Sequence, residues 1–131
     1  MEWLSKNALK TAICDCARKG TSVLVVLNTN ATRLKTVTQV IEIILGMVDR
    51  GLISEFSFVD TIMGHKMTIS SLEYSDITFV LLSDFQYSYF KSQLGYHYDL
   101  ILVDRNIKIE QLTHFSEGAE ENIEKLAKSS E

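Results

Sequence analysis

The sequence predicts a single α/β domain, a mixed and mostly parallel sheet of about five strands flanked by helices. Three observations predict it. Ser22-Val23-Leu24-Val25-Val26-Leu27 and Tyr98-Asp99-Leu100-Ile101-Leu102-Val103-Asp104 are short, branched, apolar runs without alternation, as in strands buried on both faces. Apolar residues recur at three- and four-residue spacing over residues 3–19 and 31–50, which reads as helix. The 131 residues, 46% of them hydrophobic, suffice for one core, and no internal repeat divides them. The domain is expected over residues 1–116, with 117–131 an acidic helix or tail.

Taken in order, the first helix places Trp3, Leu4, Ala8, Ala12, Ile13, Cys16 and Ala17 on one side and Lys6, Lys10, Asp15 and Arg18 on the other. Arg18 and Lys19 suit the negative end of its dipole, and Gly20 supplies a left-handed stop. After the strand at 22–27, Asn28-Thr29-Asn30 turns into the second helix, with Thr29 or Asn30 as its cap. That helix carries an apolar stripe of Leu34, Val37, Ile41, Ile44, Leu45 and Val48, widened by Val40, and ends at Gly51. Leu52 to Asp60 alternates Phe56 and Phe58 with polar residues and reads as a strand with one buried face. Met63-Gly64-His65 is its turn into a second strand, Lys66 to Ser70. An inner strand follows at Asp76 to Leu82, then a helix from Asp84 to Leu94 closed by Gly95. Ile107 to Phe115 is expected as a short helix, and Ala119 to Lys128 as a polar one.

Charge excludes some functions. Acidic residues outnumber basic ones, the formal net charge is −4, and no overall positive field draws in nucleic acid or an anionic membrane. No apolar run approaches the ~20 residues that span a bilayer, and the amino terminus lacks a signal-peptide layout, so a cytoplasmic protein is expected. Cys14 and Cys16 lie two apart on a helix, point to different faces and have no second ligand pair nearby. Neither a metal nor a cofactor is expected.

Asp104, at the carboxyl end of an inner strand, stands where open α/β sheets place their chemistry. It has two readings: a weak metal ligand, or a cap on the turn that follows, and the cap is favoured. Asn28-Thr29-Asn30, with Arg33 and Lys35 beyond, could hold an anion at a helix N-terminus. Without glycines to wrap a phosphate, plain capping is the better reading. His65, His97 and His114 are far apart in sequence and read as solvated side chains. No Gly-x-Ser-x-Gly elbow exists, so hydrolytic acyl chemistry has no visible machinery. The aromatic group Phe85, Tyr87, Tyr89, Phe90, Tyr96 and Tyr98 reads more as core than as a base-stacking surface.

From residue 5 to about residue 110, the order of elements resembles a helicase or viral DNA-packaging ATPase core, a P-loop-type domain that begins just after its phosphate loop. Gly20 to Val26 is similar to that family's strand after the first helix, and Leu100-Ile101-Leu102-Val103-Asp104 to its acidic Walker B strand. The resemblance implies nucleic-acid backbone contact by Asn28, Thr29, Asn30 and Arg33, and a setting in a phage or other virus, in the host cytoplasm. The chain departs from the family in lacking Gly-x-x-x-x-Gly-Lys-Ser/Thr, and Arg105 stands where a catalytic glutamate would follow Asp104. A pseudo-ATPase, not an enzyme, is the expectation. A second resemblance, to bacterial receiver domains, lacks their acidic pair, since Leu27 and Asn28 occupy those positions.

The expected function is therefore noncatalytic docking to a protein partner or to a second copy. The candidate contact residues are Trp3 and Leu4 at the start of the chain and Tyr87, Tyr89 and Tyr96. A nucleic-acid-binding accessory role and a degenerate receiver are the alternatives.

Overall fold

A computed structural model describes residues 2–53, 55–61, 64–70, 74–82 and 98–112 together with Glu124, Ala127 and Lys128. Among the described residues, two helices and six strands follow one another as β1 (Glu2–Trp3), α1 (Lys6–Lys19), β2 (Ser22–Leu27), α2 (Asn30–Asp49), β3 (Glu55–Thr61), β4 (Gly64–Ser70), β5 (Tyr74–Leu81) and β6 (Leu100–Val103), with a 3-10 turn at Ile109–Leu112. The strands form one mixed sheet in the order β1-β6-β2-β5-β4-β3. β1, β6, β2 and β5 run parallel, while β4 and β3 continue the sheet antiparallel. The α/β class is thus as the sequence predicts, with six strands in place of about five.

β2 lies inside because its six residues have partners on both sides: Val23 pairs with Ile77 of β5 and Leu100 of β6, and Val25 with Phe79 and Leu102. Side chains alternate across a strand, so Val23, Val25 and Leu27 share one face with Ile77, Phe79 and Leu102. Both helices pack on that face. Leu9, Ala12, Ile13, Cys16 and Ala17 of α1 and Val37, Val40, Ile44 and Met47 of α2 belong to the same cluster. The other face, with Leu24, Val26, Val80, Ile101 and Val103, is buried as well. Burial on both faces is what removed polar alternation from these runs.

Several boundaries differ from the expectation. The first helix begins at Lys6, not at residue 3: the Ser5 side chain accepts from the Ala8 N–H at 3.0 Å and caps it. Trp3 instead joins β1, which pairs with Leu102 and Val103 and was not foreseen. Gly20 closes α1 at φ 67, as expected. Thr29 caps α2, accepting from the Thr32 N–H at 3.2 Å. At the other end the Leu52 N–H reaches Met47 O and the Gly51 N–H reaches Val48 O, a Schellman closure with Gly51 at φ 73.

The stripe of α2 needs a larger correction. Its buried residues are Thr36, Val37, Val40, Ile44 and Met47, whereas Leu34 and Leu45 are 63% and 48% exposed. Leu52 does not start a strand but sits exposed past the helix end, and β3 begins at Glu55. Thr61 pairs with Gly64, so Gly64 and His65 belong to β4 and not to a turn. The expected helices at Asp84 to Leu94 and Ala119 to Lys128 lie outside the described residues, apart from helical Glu124, Ala127 and Lys128.

Candidate functional site

β2 and β6 end side by side, and the chain leaves them in different ways. From β2 it turns through Asn28 and Thr29 into α2, and from β6 it turns at Asp104 toward Ile107. Asp104 is 4% exposed, and both of its carboxylate oxygens accept backbone N–H groups. Oδ2 takes the Asn28 N–H at 3.2 Å, and Oδ1 takes the Asn106 N–H at 3.1 Å. Its own N–H donates to Val26 O at 2.9 Å, and its carbonyl accepts the Ile107 N–H at 3.0 Å. The first contact ties two adjacent strand ends together, and the second closes a local turn of the kind aspartate favours.

A matching contact lies at the opposite end of the same strand pair. Asp99 Oδ2 accepts the Ser22 N–H at 2.8 Å, while the Asp99 N–H donates to Ser22 O at 2.8 Å. The two carboxylates bracketing β6 therefore fasten it to β2 at both ends. Asp99 is exposed and Asp104 buried, so the carboxyl-end contact is the costlier one to lose.

The residues expected to touch a phosphate backbone gather at this edge. Asn28, Thr29 and Asn30 are exposed at the start of α2. Thr29 is engaged twice within the helix, by the Thr32 N–H and by a 2.9 Å contact with the Thr32 hydroxyl. Arg33 is half-buried on the same side of α2 as Val37 and Val40, and its Nε is shielded from solvent without a hydrogen-bond partner. Arg105, beside Asp104, is exposed. Capping, the plainer reading of the loop, accounts for the contacts of the Thr29 side chain, while the Asn28 N–H serves Asp104.

Trp3 and Leu4 belong to the same edge. Trp3 pairs with Val103, and the Leu4 N–H donates to Val103 O at 2.7 Å, which brings both next to Asp104 along the backbone. Both are half-buried, and Leu4 packs against the core cluster. Tyr87, Tyr89, Tyr96, His97 and His114 lie outside the described residues. Cys14 and Cys16 are thiols not joined in a disulfide; Cys16 is buried, donating to Thr21 O at 3.3 Å and accepting from the Thr21 hydroxyl at 3.5 Å. Among the described residues, no three His, Cys, Asp or Glu side chains gather in a group fit for a metal ion. No described helix is long and apolar enough to cross a membrane.

The surface that sequence reasoning missed is on α2. Among the residues whose burial is described, Leu34, Leu45 and Leu52 are the large apolar side chains left exposed; Leu34 and Leu45 share one side of α2, and Leu52 follows its end. Their spacing was legible, but it had been merged with that of the buried stripe.

Fold and site together define an α/β domain with an aspartate-fastened carboxyl edge and two leucines exposed on one side of its second helix. No protein-family model, curated protein or solved structure matches the chain.

Proposed function

We propose that this is a noncatalytic protein that works by docking to another protein chain. The observation that supports it best is the pair Leu34 and Leu45, exposed by 63% and 48% on one side of α2, with Leu52, 52% exposed, just past the helix end. Isolated exposed leucines are ordinary, but apolar side chains repeated along one side of a helix are a form in which helices present themselves to partners. The carboxyl edge supports the same reading from the other direction. Both oxygens of Asp104 serve backbone groups, and Arg105 follows it where a proton acceptor would be needed.

Two other readings have less support. Nucleic-acid binding through Asn28, Thr29, Asn30 and Arg33 would act against a net charge of −4, and Thr29 is already engaged by Thr32. A degenerate receiver would need acidic residues after β2, where Leu27 is fully buried and Asn28 is amide. The viral setting has the packaging-ATPase resemblance alone behind it.

Size exclusion with light scattering, joined to partner capture from lysate, tests the docking reading. The expected result is association that a Leu34→Ser/Leu45→Ser variant loses while keeping its fold by circular dichroism. A chain that neither self-associates nor captures anything would overturn it.

A further inference from the structure

We infer that the occupant of the exposed α2 side is a second copy of this chain, paired antiparallel about a two-fold axis through the middle of the helix; this rests on the docking reading. The exposed row is longer than its two leucines. Leu34, Thr38, Ile41, Leu45 and Val48 follow one another on α2 in alternating steps of four and three residues, which is the heptad spacing of a helix-pairing seam, and Leu52 lies just past the helix end. At 3.6 residues per turn the seam runs about a third of a turn round from the buried stripe of Val40 and Ile44, so its Leu34, Thr38 and Leu45 stay exposed. Ile41 and Val48 are half-buried and touch the core cluster, forming the floor between stripe and seam. Thr38 is the polar member, and its hydroxyl already donates to Leu34 O at 2.9 Å, so it brings no unmet donor into an apolar contact.

The charges beside the seam select the partner. Lys35, Glu42 and Asp49 follow the seam positions Leu34, Ile41 and Val48, and they line its solvent side at intervals of one heptad. In an antiparallel pair, Thr38 of one copy faces Val48 of the other and Ile41 faces Leu45, which sets Leu34 at the partner's helix end, beside Leu52. The same register sets Lys35 of each copy opposite Asp49 of the other, twice by symmetry. The helix is therefore complementary to its own reverse: the basic residue stands near its N-terminus and the acidic one near its C-terminus. Glu42 falls on the axis and meets its own copy, the one repulsive contact in the set. A closed two-fold pair of this kind is the commonest oligomer and leaves no seam open for further addition.

Light scattering across a concentration series, with circular dichroism as the folding control, tests the register. The full chain is expected to reach twice its 14.9 kDa monomer mass, and Leu45→Glu to weaken association at least about tenfold. Lys35→Glu and Asp49→Lys should each weaken it about three- to tenfold, and the double Lys35→Glu/Asp49→Lys should restore it to within about twofold. Glu42→Gln should tighten it about two- to fivefold, because the repulsion on the axis is removed. A dimer indifferent to Leu45→Glu, or single charge swaps that the double does not rescue, would overturn the assignment. So would a strict monomer, and here the two readings part. Capture of a lysate protein by the native chain but not by Leu45→Glu would leave docking standing with a foreign partner, whereas no capture at all would remove both.

Discussion

Asp104 concentrates an unusual share of hydrogen bonding in one side chain, because a buried carboxylate that serves two backbone N–H groups cannot be replaced by an amide without leaving one donor facing an NH2 group. Asp104→Asn is therefore expected to lose about 1–3 kcal/mol of stability, read by urea unfolding. The same variant separates structure from chemistry. With ATP and magnesium, neither the native chain nor Asp104→Asn is expected to release phosphate above background. A steady rate abolished by the substitution would restore the ATPase reading. The two thiols give a second check at this scale: Cys14 should react with a thiol reagent in the folded chain, and Cys16, with 0% exposure, only on unfolding. Asp104 was legible as the residue of interest from its place at the end of an inner strand, and a cap on the turn that follows was the favoured of its two readings. Its bond to Asn28 was not legible, because the contact spans 76 residues and depends on which strands are neighbours.

At the scale of the element, α2 shows what a periodic pattern can and cannot say. Spacings of three and four place Leu34, Val37, Ile41, Ile44, Leu45 and Val48 within a broad apolar arc, and nothing in that spacing says which part of the arc meets the sheet. The structure divides it: Ile44 is fully buried and its neighbour Leu45 is 48% exposed. Ile44→Ala is accordingly expected to cost about 2–5 kcal/mol and Leu45→Ala about 0.5 kcal/mol or less in the monomer, a contrast that denaturant unfolding at low concentration would read. Helix ends were clearer in sequence than helix faces. Gly20 and Gly51 each stop a helix at positive φ, and Gly51→Ala should cost about 1 kcal/mol although open space surrounds that position. β1 escaped notice because two residues hold no period, and the Ser5 cap that separates it from α1 was the available signal.

For the whole molecule, the parallel core of the sheet was legible as continuous branched runs, while strand order was not, because those runs look alike from either side. The net charge of −4 acts at this scale too: fluorescence polarisation with single- or double-stranded oligonucleotides at low salt is expected to show no tight, salt-sensitive binding. The position of β2 carries a consequence for biosynthesis. Both of its neighbours come much later in the chain, β5 at Tyr74–Leu81 and β6 at Leu100–Val103. As the polypeptide leaves the ribosome, Ser22–Leu27 emerges with an unpaired backbone on each side and side chains that water does not favour, the profile of a segment prone to join another chain. Its second partner, and the carboxylates that fasten it, arrive only when residues 99–104 have been made. The nascent chain carries this strand without either sheet partner until β5 has been made, and open on one side until β6 follows.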